Sequence, residues 1–356
     1  VDRINVGGSE SGQQSNYVGP GSDDDDGTWA IDGVVITDMS AIGSSPSYYN
    51  FDAFEEMQIS TGGSDASAAT GGVVMNMVTK RGTNEWRAGG RYIVGDGDWQ
   101  SNSGISNSDL GNGLNGAPPQ EPFENDDLNQ INHIQDWGAD VGGPILKDRL
   151  WIWANYGEQN IELIAAGGAP DDTDLETYGA KLNAQIVAAN SATLFYNYGD
   201  KLKFGRGAGA TREPDTTWNQ TGPTDIYKIE DTHIFGSSFF LTGMWSQVGG
   251  GFELTPQGGD PGPAIRLSPD FIWQQNYWHH TTDRPSEQYK LDGNYFFNTG
   301  TLSHELKFGA GYREASVSAT SSFSAHQYWA EPWGLLTMAS DTYAETYAEY
   351  TSAYLQ

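Results

Sequence analysis

Hydrophobic and polar residues alternate along much of the chain after residue 86. Over residues 178–188 the even-numbered positions are Tyr, Ala, Leu or Ile, and the odd-numbered positions are mostly Gly, Lys, Asn and Gln. The same alternation recurs over 192–199, 289–298 and 306–313. A period of two over about eight to eleven residues predicts a β-strand with one apolar and one polar face.

Alternation alone fits both a soluble β-sandwich and a membrane β-barrel. The spacers at 95–130, 206–224, 249–285 and 318–342 are long and polar, whereas the links between them are short or moderate. Strands of roughly ten residues, with Tyr and Trp at their ends and long connections on one side only, favour an outer-membrane barrel. We count about eight or nine such strands after residue 86.

The barrel interpretation predicts which way each side chain faces. The residues expected on the outer, lipid-facing surface are Leu182, Ala184, Ile186, Leu194, Tyr196, Leu291, Tyr295, Leu306 and Phe308. Those expected to face the lumen are Lys181, Asn183, Gln185, Asp292, Asn294 and Lys307. An arginine in place of Ile186 near the middle of the bilayer would then cost about 2–4 kcal/mol.

The first 85 residues differ in composition from the rest of the chain. They are rich in Gly, Ser and Asp and contain short β-branched runs at 31–37 and 73–79. No apolar run in the chain reaches the roughly 18 residues that a membrane-spanning helix needs. The composition change near residue 85 predicts two domains, 1–85 and 86–356.

Composition and charge exclude several classes of function. The chain of 356 residues carries 18 Lys and Arg against 47 Asp and Glu, a net charge of −29, which argues against a nucleic-acid partner. It has no cysteine, which excludes disulfides, a thiol nucleophile and cysteine-based metal sites. The 46 Gly, 12 Trp and 18 Tyr favour β-structure with interfacial anchoring.

Four motifs stand in a fixed order along the chain. WAIDGVVITD begins at Trp29, FEEMQISTGG at Phe54, ATGGVVMNMVTKRGTNE at Ala69 and GGPILKDRLWIWANYGE at Gly142. In this order they resemble the second half of the plug and the first barrel strands of TonB-dependent outer-membrane transporters. The resemblance is strongest to the Oar-like subfamily.

The resemblance implies a mostly β fold, with a small mixed plug domain inside a partial antiparallel transmembrane β-barrel. Residues 1–85 would be the C-terminal part of the plug, and 86–356 the N-terminal part of the barrel with long extracellular loops. The intact barrel of the family has roughly 22 strands, the size associated with a plugged lumen. The front half of the plug and the motor-binding box have no counterpart here. We therefore expect a fragment with open sheet edges near Arg91 and Tyr354.

The resemblance also implies a function. It is uptake of an unidentified extracellular ligand across the outer membrane of a Gram-negative bacterium. The implied partners are outer-membrane lipid and the periplasmic energy-coupling protein TonB with its inner-membrane motor. No enzyme activity and no cofactor are expected, since no nucleophile triad, carboxylate pair or phosphate loop stands out. The alternatives are an Oar-like surface protein for adhesion or envelope organisation, and a secreted carbohydrate-binding β-sandwich.

Residues matching the plug motifs are candidates for a structural or gating role: Asp32, Gly33, Glu55, Glu56, Gly62, Gly63, Gly71, Gly72, Asn76, Thr79, Lys80, Gly82, Thr83 and Asn84. Tight turns explain the Gly pairs better than a hinge does. Because polar contacts hold plug and wall together in such a lumen, Arg87, Arg91 and Arg149 are candidate wall partners for Glu55 and Glu56. The alternative is that both glutamates are plain surface carboxylates.

Two further groups could contact ligands. The run Asp23, Asp24, Asp25 and Asp26 could bind Ca²⁺, although its spacing differs from an EF-hand and a solvated acidic loop is the better interpretation. Aromatic residues in the long spacers could stack on a sugar or a peptide, or could lie at the membrane interface. They are Trp273, Tyr277, Trp278, Tyr328, Trp329 and Trp333.

Overall fold

The strands that the structure describes fall into three sheets of four, twelve and three strands. The structure, a computed structural model, describes residues 18–40, 42–45, 47–61, 70–100, 129–165, 168–209, 212, 214–258, 265–267, 278–323, 327–330, 335–338 and 341–356. Its helical elements are short 3-10 turns at Asp24–Asp26, Phe51–Ala53, Gly97–Trp99 and Pro214–Thr216. None of the helices in these ranges is long and apolar enough to cross a membrane.

The small sheet is mixed. Its strands are β1 (Thr28–Ile31), β2 (Val34–Val35), β3 (Phe54–Ser60) and β4 (Val74–Thr79), in the spatial order β2-β1-β4-β3. β1 runs parallel to β4, and the other pairs are antiparallel. Asp32 and Gly33 join β1 to β2 with φ of 49° and 80°. An Asp-Gly pair is the expected choice for a two-residue hairpin loop, because both central residues need positive φ.

The large sheet is antiparallel throughout. Its strands are β5 (Arg87–Asp96), β6 (Gln130–Leu146), β7 (Leu150–Ile164), β8 (Pro170–Val187), β9 (Asn190–Arg206), β10 (Trp218–Thr221), β11 (Thr224–Phe235), β12 (Phe239–Pro256), β14 (Trp278–Asp283), β15 (Ser286–Thr299), β16 (Leu302–Phe323) and β19 (Thr342–Leu355). Together with the small mixed sheet, this sheet confirms the predicted fold class.

Two strand positions in the large sheet are each filled by two strands. β10 and β11 both pair with β9 and β12, and they are separated at Pro223. β14 and β15 both pair with β12 and β16, and they are separated at Pro285. Proline has no N–H to donate to the ladder, so it interrupts each strand. The twelve described strands therefore occupy ten positions, more than the eight or nine predicted.

The ends of the large sheet lie on β5 and β19. Among the strands that the structure describes, β5 pairs with β6 alone and β19 with β16 alone. Arg91 and Tyr354, near which open edges were expected, lie on these two strands.

One face of the large sheet contacts the small sheet, and we call it the inner face. A single apolar cluster joins Trp29, Ile31 and Met77 of the small-sheet domain to Phe195 and Ile226 of the large sheet. All five side chains are buried. Burial of apolar surface therefore fixes the small sheet against the large one.

The outer face of the large sheet is apolar and uncovered. Leu194, Leu291 and Tyr295 are 47%, 46% and 43% exposed, whereas Lys181 on the inner face is buried. The predicted facing is confirmed at these positions. The soluble β-sandwich is wrong for the described part of the chain, because no second sheet packs on these side chains.

Several long spacers contain strand rather than loop. The 249–285 spacer includes the end of β12, all of β14 and β13 (Ile265–Leu267), which pairs with β17 (Gln327–Ala330). β17 in turn pairs with β18 (Leu335–Met338) in the three-stranded sheet. Among the predicted ligand-contact aromatics, Trp278 begins β14, and Tyr328 and Trp329 belong to β17. Trp273, Tyr277 and Trp333 lie outside the described residues.

Candidate functional site between the two sheets

A polar cluster lies where the β1–β2 hairpin meets the inner face. The Asp32 carboxylate accepts hydrogen bonds from the Thr79 backbone N–H at 3.1 Å and the Thr79 hydroxyl at 2.5 Å. Its other contact is an ion pair of 2.8 Å with the Lys181 ammonium of β8. The Gly33 N–H donates to the Asn76 side chain at 3.0 Å, which ties the hairpin to β4. The hairpin turn thus aims Asp32 at the large sheet.

A second lysine completes this cluster. Lys228 of β11 donates to the Asp32 carbonyl oxygen at 2.7 Å and pairs with Glu230 at 2.8 Å. Lys181 also donates to the Thr79 carbonyl oxygen at 3.1 Å. The Asp32 and Lys181 side chains are only 7% and 8% exposed, so water screens this pair weakly. We call Asp32, Thr79, Lys181 and Lys228 the central ion cluster.

Three arginines of the large sheet contact the segment between β2 and β3. Arg91 pairs with Asp52 at 3.1 Å and, within the large sheet, with Asp136 at 2.7 Å. Arg284 pairs with Asp38 and donates to the Ser40 hydroxyl at 3.2 Å. Arg313 donates to the Thr37 carbonyl oxygen at 3.1 Å.

One ion pair has the opposite polarity. Lys80, which follows β4, pairs with Asp140 of β6 at 2.9 Å. Val35 of β2 adds a neutral contact by donating its N–H to the Gln288 side chain at 3.1 Å. Ionic and neutral polar contacts thus reach the inner face from β5 to β16.

Glycines on the inner face allow the small-sheet domain to approach closely. A methyl group on Gly199 would collide with the Tyr48 carbonyl oxygen, and one on Gly157 would lie 2.8 Å from the Asn50 amide carbon. Gly138 faces Asn50 in the same way. Glycine is required at these positions because the neighbouring backbone and amide occupy the space of a side chain.

The third and fourth sequence motifs meet in space. The Asn84 amide donates to the Asp148 carboxylate at 2.6 Å, and its oxygen accepts from the Asp148 N–H at 2.9 Å and the Trp151 indole at 2.8 Å. Asp148, in the β6–β7 turn, has φ of 63°. Gly82 packs against the Ile152 backbone, and Thr83 donates to the Glu85 carbonyl oxygen at 2.9 Å. These motif residues anchor the connection between the two sheets.

The expected pairing of Glu55 and Glu56 with arginines is wrong. Both glutamates are exposed on β3, the edge strand of the small sheet, and Glu56 contacts Gln58. Arg91 is engaged by Asp52 instead.

The other two arginines named as wall partners are both exposed. Arg87 pairs loosely with Glu85 at 3.6 Å. Arg149 lies in the β6–β7 turn. Neither forms an ion pair with the small sheet in the part of the chain that the structure describes.

The remaining motif glycines differ in their surroundings. Gly72 is buried against the Asp26 backbone, and Thr70 donates to the Asp26 carbonyl oxygen at 2.6 Å. Gly71 is exposed with open space around it. Gly62 and Gly63 lie outside the described residues. The close approach at Gly72 supports a tight-packing role for that position.

The acidic run forms an exposed 3-10 turn, with Asp23 as its N-cap. Within the described ranges, no group of three or more acidic or histidine side chains has an arrangement that could hold a metal ion. Calcium binding by Asp23 to Asp26 stays a prediction.

The alternation of polar and apolar residues correctly predicted that Lys181 lies on the inner face. It did not predict that Lys181, Lys228, Arg284 and Arg313 contact the small sheet. The signal available in the sequence was a charged residue on the polar face of a strand. The alternation by itself marks Lys181 as such a residue. Their partners are separated from them by about a hundred residues or more and follow only from the fold.

Comparisons with known proteins bear on this architecture. No protein-family model matches the chain. The TonB-dependent transporter Oar of Myxococcus xanthus is 31% identical over 141 residues, which cover 38% of this chain and 12% of Oar. The chain therefore spans about an eighth of this curated relative's length.

Solved structures extend the likeness to nearly the whole chain. The outer-membrane transporter YddB of Escherichia coli superposes with a TM-score of 0.67 at 12% identity, covering 97% of this chain and 48% of YddB. The siderophore receptor PirA of Acinetobacter baumannii gives a TM-score of 0.56 at 13% identity, with coverage of 98% and 53%. The chain has the fold of a TonB-dependent outer-membrane transporter. Its small sheet corresponds to the plug of these transporters and its large sheet to part of their barrel wall, and we use these two names below.

Proposed function

We propose that the chain is part of an outer-membrane transporter that takes up an extracellular ligand through a plugged barrel, driven by TonB and the inner-membrane motor. No bond is made or broken in this function. The barrel wall encloses the plug, and a ligand can pass only if the plug shifts. The energy-coupling protein supplies the force, and ligand binding supplies the differential affinity between plug states.

The observation that carries the proposal is the chemistry of the plug–wall contact. Ion pairs and hydrogen bonds hold the plug at the central ion cluster, Arg91, Arg284 and Arg313. Such contacts can be exchanged for contacts with water, so plug movement exposes apolar surface only at the cluster around Phe195 and Ile226. A permanent structural interface would be expected to bury mainly apolar side chains.

The test measures plug movement directly. Ser246 of β12 is 1% exposed and lies on the inner face between Met244 and Val248, which pack in the apolar cluster shared with the plug. In the full-length protein in living cells, we expect Ser246→Cys to react with a thiol reagent only when TonB is present. Equal labelling with and without TonB would favour the adhesion or envelope role instead.

A disulfide lock provides the matched control. The chain contains no cysteine, and the Asn50 Cβ lies 3.0 Å from an ideal Cβ on Gly157. That separation is slightly below the usual range for a disulfide of about 3.5–4.5 Å, so a small adjustment would close the bond. We expect Asn50→Cys with Gly157→Cys to abolish TonB-dependent labelling of position 246, and a reductant to restore it. The single Asn50→Cys variant, which keeps Gly157, should leave the labelling unchanged.

A further inference from the structure

Many basic side chains of the wall lie on its inner face. Lys181, Lys228, Arg91, Arg284 and Arg313 all contact the plug. Successive side chains of a strand point to opposite faces, so other basic residues can be placed by parity. Lys203 shares the face of Lys201, whose ammonium lies 5.4 Å from the Tyr48 ring; Lys307 shares the face of Arg313, and Lys290 that of Gln288.

The outer face has the opposite charge. Glu158, Glu176 and Asp200 are register partners on β7, β8 and β9 and point outward side by side. Glu287, Glu314 and Glu349 form a second such row on β15, β16 and β19. The lysines and arginines placed above lie on the other face. Basic groups are thus concentrated on the inner face, in a chain that carries far more acidic than basic residues.

The plug supplies the acceptors for several of the inner basic groups. Lys181 bonds to Asp32 and Thr79, Arg284 to Asp38 and Ser40, and Arg313 to the Thr37 carbonyl oxygen. The carboxylates on the inner face are mostly matched within the wall: Asp136 by Arg91, Asp171 by Lys203, Glu230 by Lys228 and Asp292 by Lys290. Withdrawal of the plug would leave Asp140 without Lys80 but would also free Lys181, Arg284 and Arg313, so positive groups would be in excess.

We propose that the path between plug and wall carries an anionic ligand, one with carboxylate, phosphate or sulfate groups. The plug carboxylates of Asp32, Asp38 and Asp52 occupy positions on Lys181, Arg284 and Arg91 that the anionic groups of the ligand take in transit. A lined path of one charge sign concentrates ligands of the opposite sign. This inference rests on the proposed function, because it describes the ligand of the same transporter.

The ion selectivity of the opened protein tests this assignment. The full-length protein is incorporated into a planar lipid bilayer, and urea is raised on one side until the plug unfolds and current appears. The reversal potential is then measured in a potassium chloride gradient, so the probes are K⁺ and Cl⁻ themselves. We expect chloride to permeate about three-fold or more over potassium, since rings of basic side chains select anions.

Two lysine variants test whether the inner face of the described wall causes the chloride preference. Lys290 and Lys307 are partly exposed, so Lys290→Gln and Lys307→Gln should fold, and together they should lower the chloride preference by about a third. The matched controls Glu176→Gln and Glu314→Gln lie on the outer face and should leave it unchanged. A channel that prefers potassium, or that shows no preference, would overturn the inference.

This outcome is separable from that of the proposed function. Suppose that Ser246→Cys is labelled equally with and without TonB but the opened channel prefers chloride. The transport proposal would then be wrong, and the anion preference of the path would still hold. TonB-dependent labelling together with a potassium-preferring channel would overturn the anionic ligand alone.

Discussion

The plug and the wall differ in the side chains that they bury. In the plug, the buried residues include Ile31, Val34 and Met77. The wall buries apolar side chains such as Trp153 and Phe195, and in addition a large set of polar ones: Lys181, Lys201, Lys203, Lys228, Asn155, Asn197, Thr173, Thr177 and Ser246. Many other large apolar side chains of the wall are exposed on the outer face. The plug follows the usual rule for soluble domains, whereas the wall departs from it by burying lysines and exposing apolar side chains.

The difference shows what buries each surface. Plug side chains pack within their own domain and against the apolar cluster of the wall, so the hydrophobic effect selects apolar residues there. The plug covers part of the inner face of the wall, as at the contact of Lys181 with Asp32. The Asn155 side-chain amide illustrates the consequence, because it is buried and makes no hydrogen bond among the described residues. Such groups suit a surface that becomes wet when the plug shifts.

The largest expected effect comes from breaking the central ion cluster. Asp32→Ala leaves the Lys181 ammonium buried without its carboxylate and should destabilise the plug by about 3–5 kcal/mol. The free energy of plug unfolding can be measured by urea titration of the full-length protein. Adding Lys181→Met should recover part of the loss. A loss below about 1 kcal/mol would mean that the pair behaves as an exposed one.

An arginine on the outer face tests whether the exposed apolar side chains of the wall contact lipid. Leu194→Arg, within the apolar band of β9, should cost about 2–4 kcal/mol, measured by urea unfolding in lipid vesicles. Ile186 is the penultimate residue of β8, next to a turn, so it does not lie near mid-bilayer. Ile186→Arg should cost only about 0–1 kcal/mol, which corrects the larger expectation from sequence. Equal costs at the two sites would contradict this depth assignment.

Close approach between plug and wall is tested by a methyl group. Gly199→Ala places a carbon against the Tyr48 carbonyl oxygen and should destabilise the plug by about 1–3 kcal/mol. In the control, Gly243→Ala, the nearest atom to the new methyl group is a Leu291 methyl carbon at 3.9 Å. Urea titration of plug unfolding should separate the two variants. Similar midpoints would show that Tyr48 moves freely away from the wall.

The smallest effect concerns the acidic rows of the outer face. Like charges directly opposite each other on neighbouring strands are unfavourable, so Glu176→Gln should stabilise the wall by about 0.2–1 kcal/mol. The Tyr156 hydroxyl, which donates to Glu176 at 3.0 Å, keeps an acceptor in glutamine. The gain should be seen in the wall-unfolding midpoint at low salt and should shrink as salt rises. A gain independent of salt would argue against repulsion as its cause.

Sequence patterns predicted the parts of the fold that local chemistry determines. The alternation along β8 and β9 is an example, since strand faces are specified within a few positions. The C-terminal ends of β12 and β16, from residues 249 and 318 onward, were assigned to spacers instead of strands. There the side chains on both faces are largely polar or small, so the period-two signal disappears although the ladder continues.

The candidate site was harder to predict than the fold. Asp32, Thr79 and Lys80 were named from motifs, but their partners Lys181 and Asp140 depend on how the plug sits on the wall. The arginine partners predicted for Glu55 and Glu56 were wrong, because the position of a residue in a motif carries no information about which edge of the sheet is exposed.

The interruptions at Pro223 and Pro285 lie on either side of β12 at the same height. The Gly251 N–H reaches the Pro223 carbonyl oxygen, and the Arg284 N–H reaches the Gly250 carbonyl oxygen. Each proline removes one N–H donor from the ladder, in the strand positions that flank the glycines 249–251 of β12. Arg284, which precedes Pro285, also holds Asp38 of the plug. A force applied to the plug would therefore reach the wall at the level where the ladder lacks these two donors.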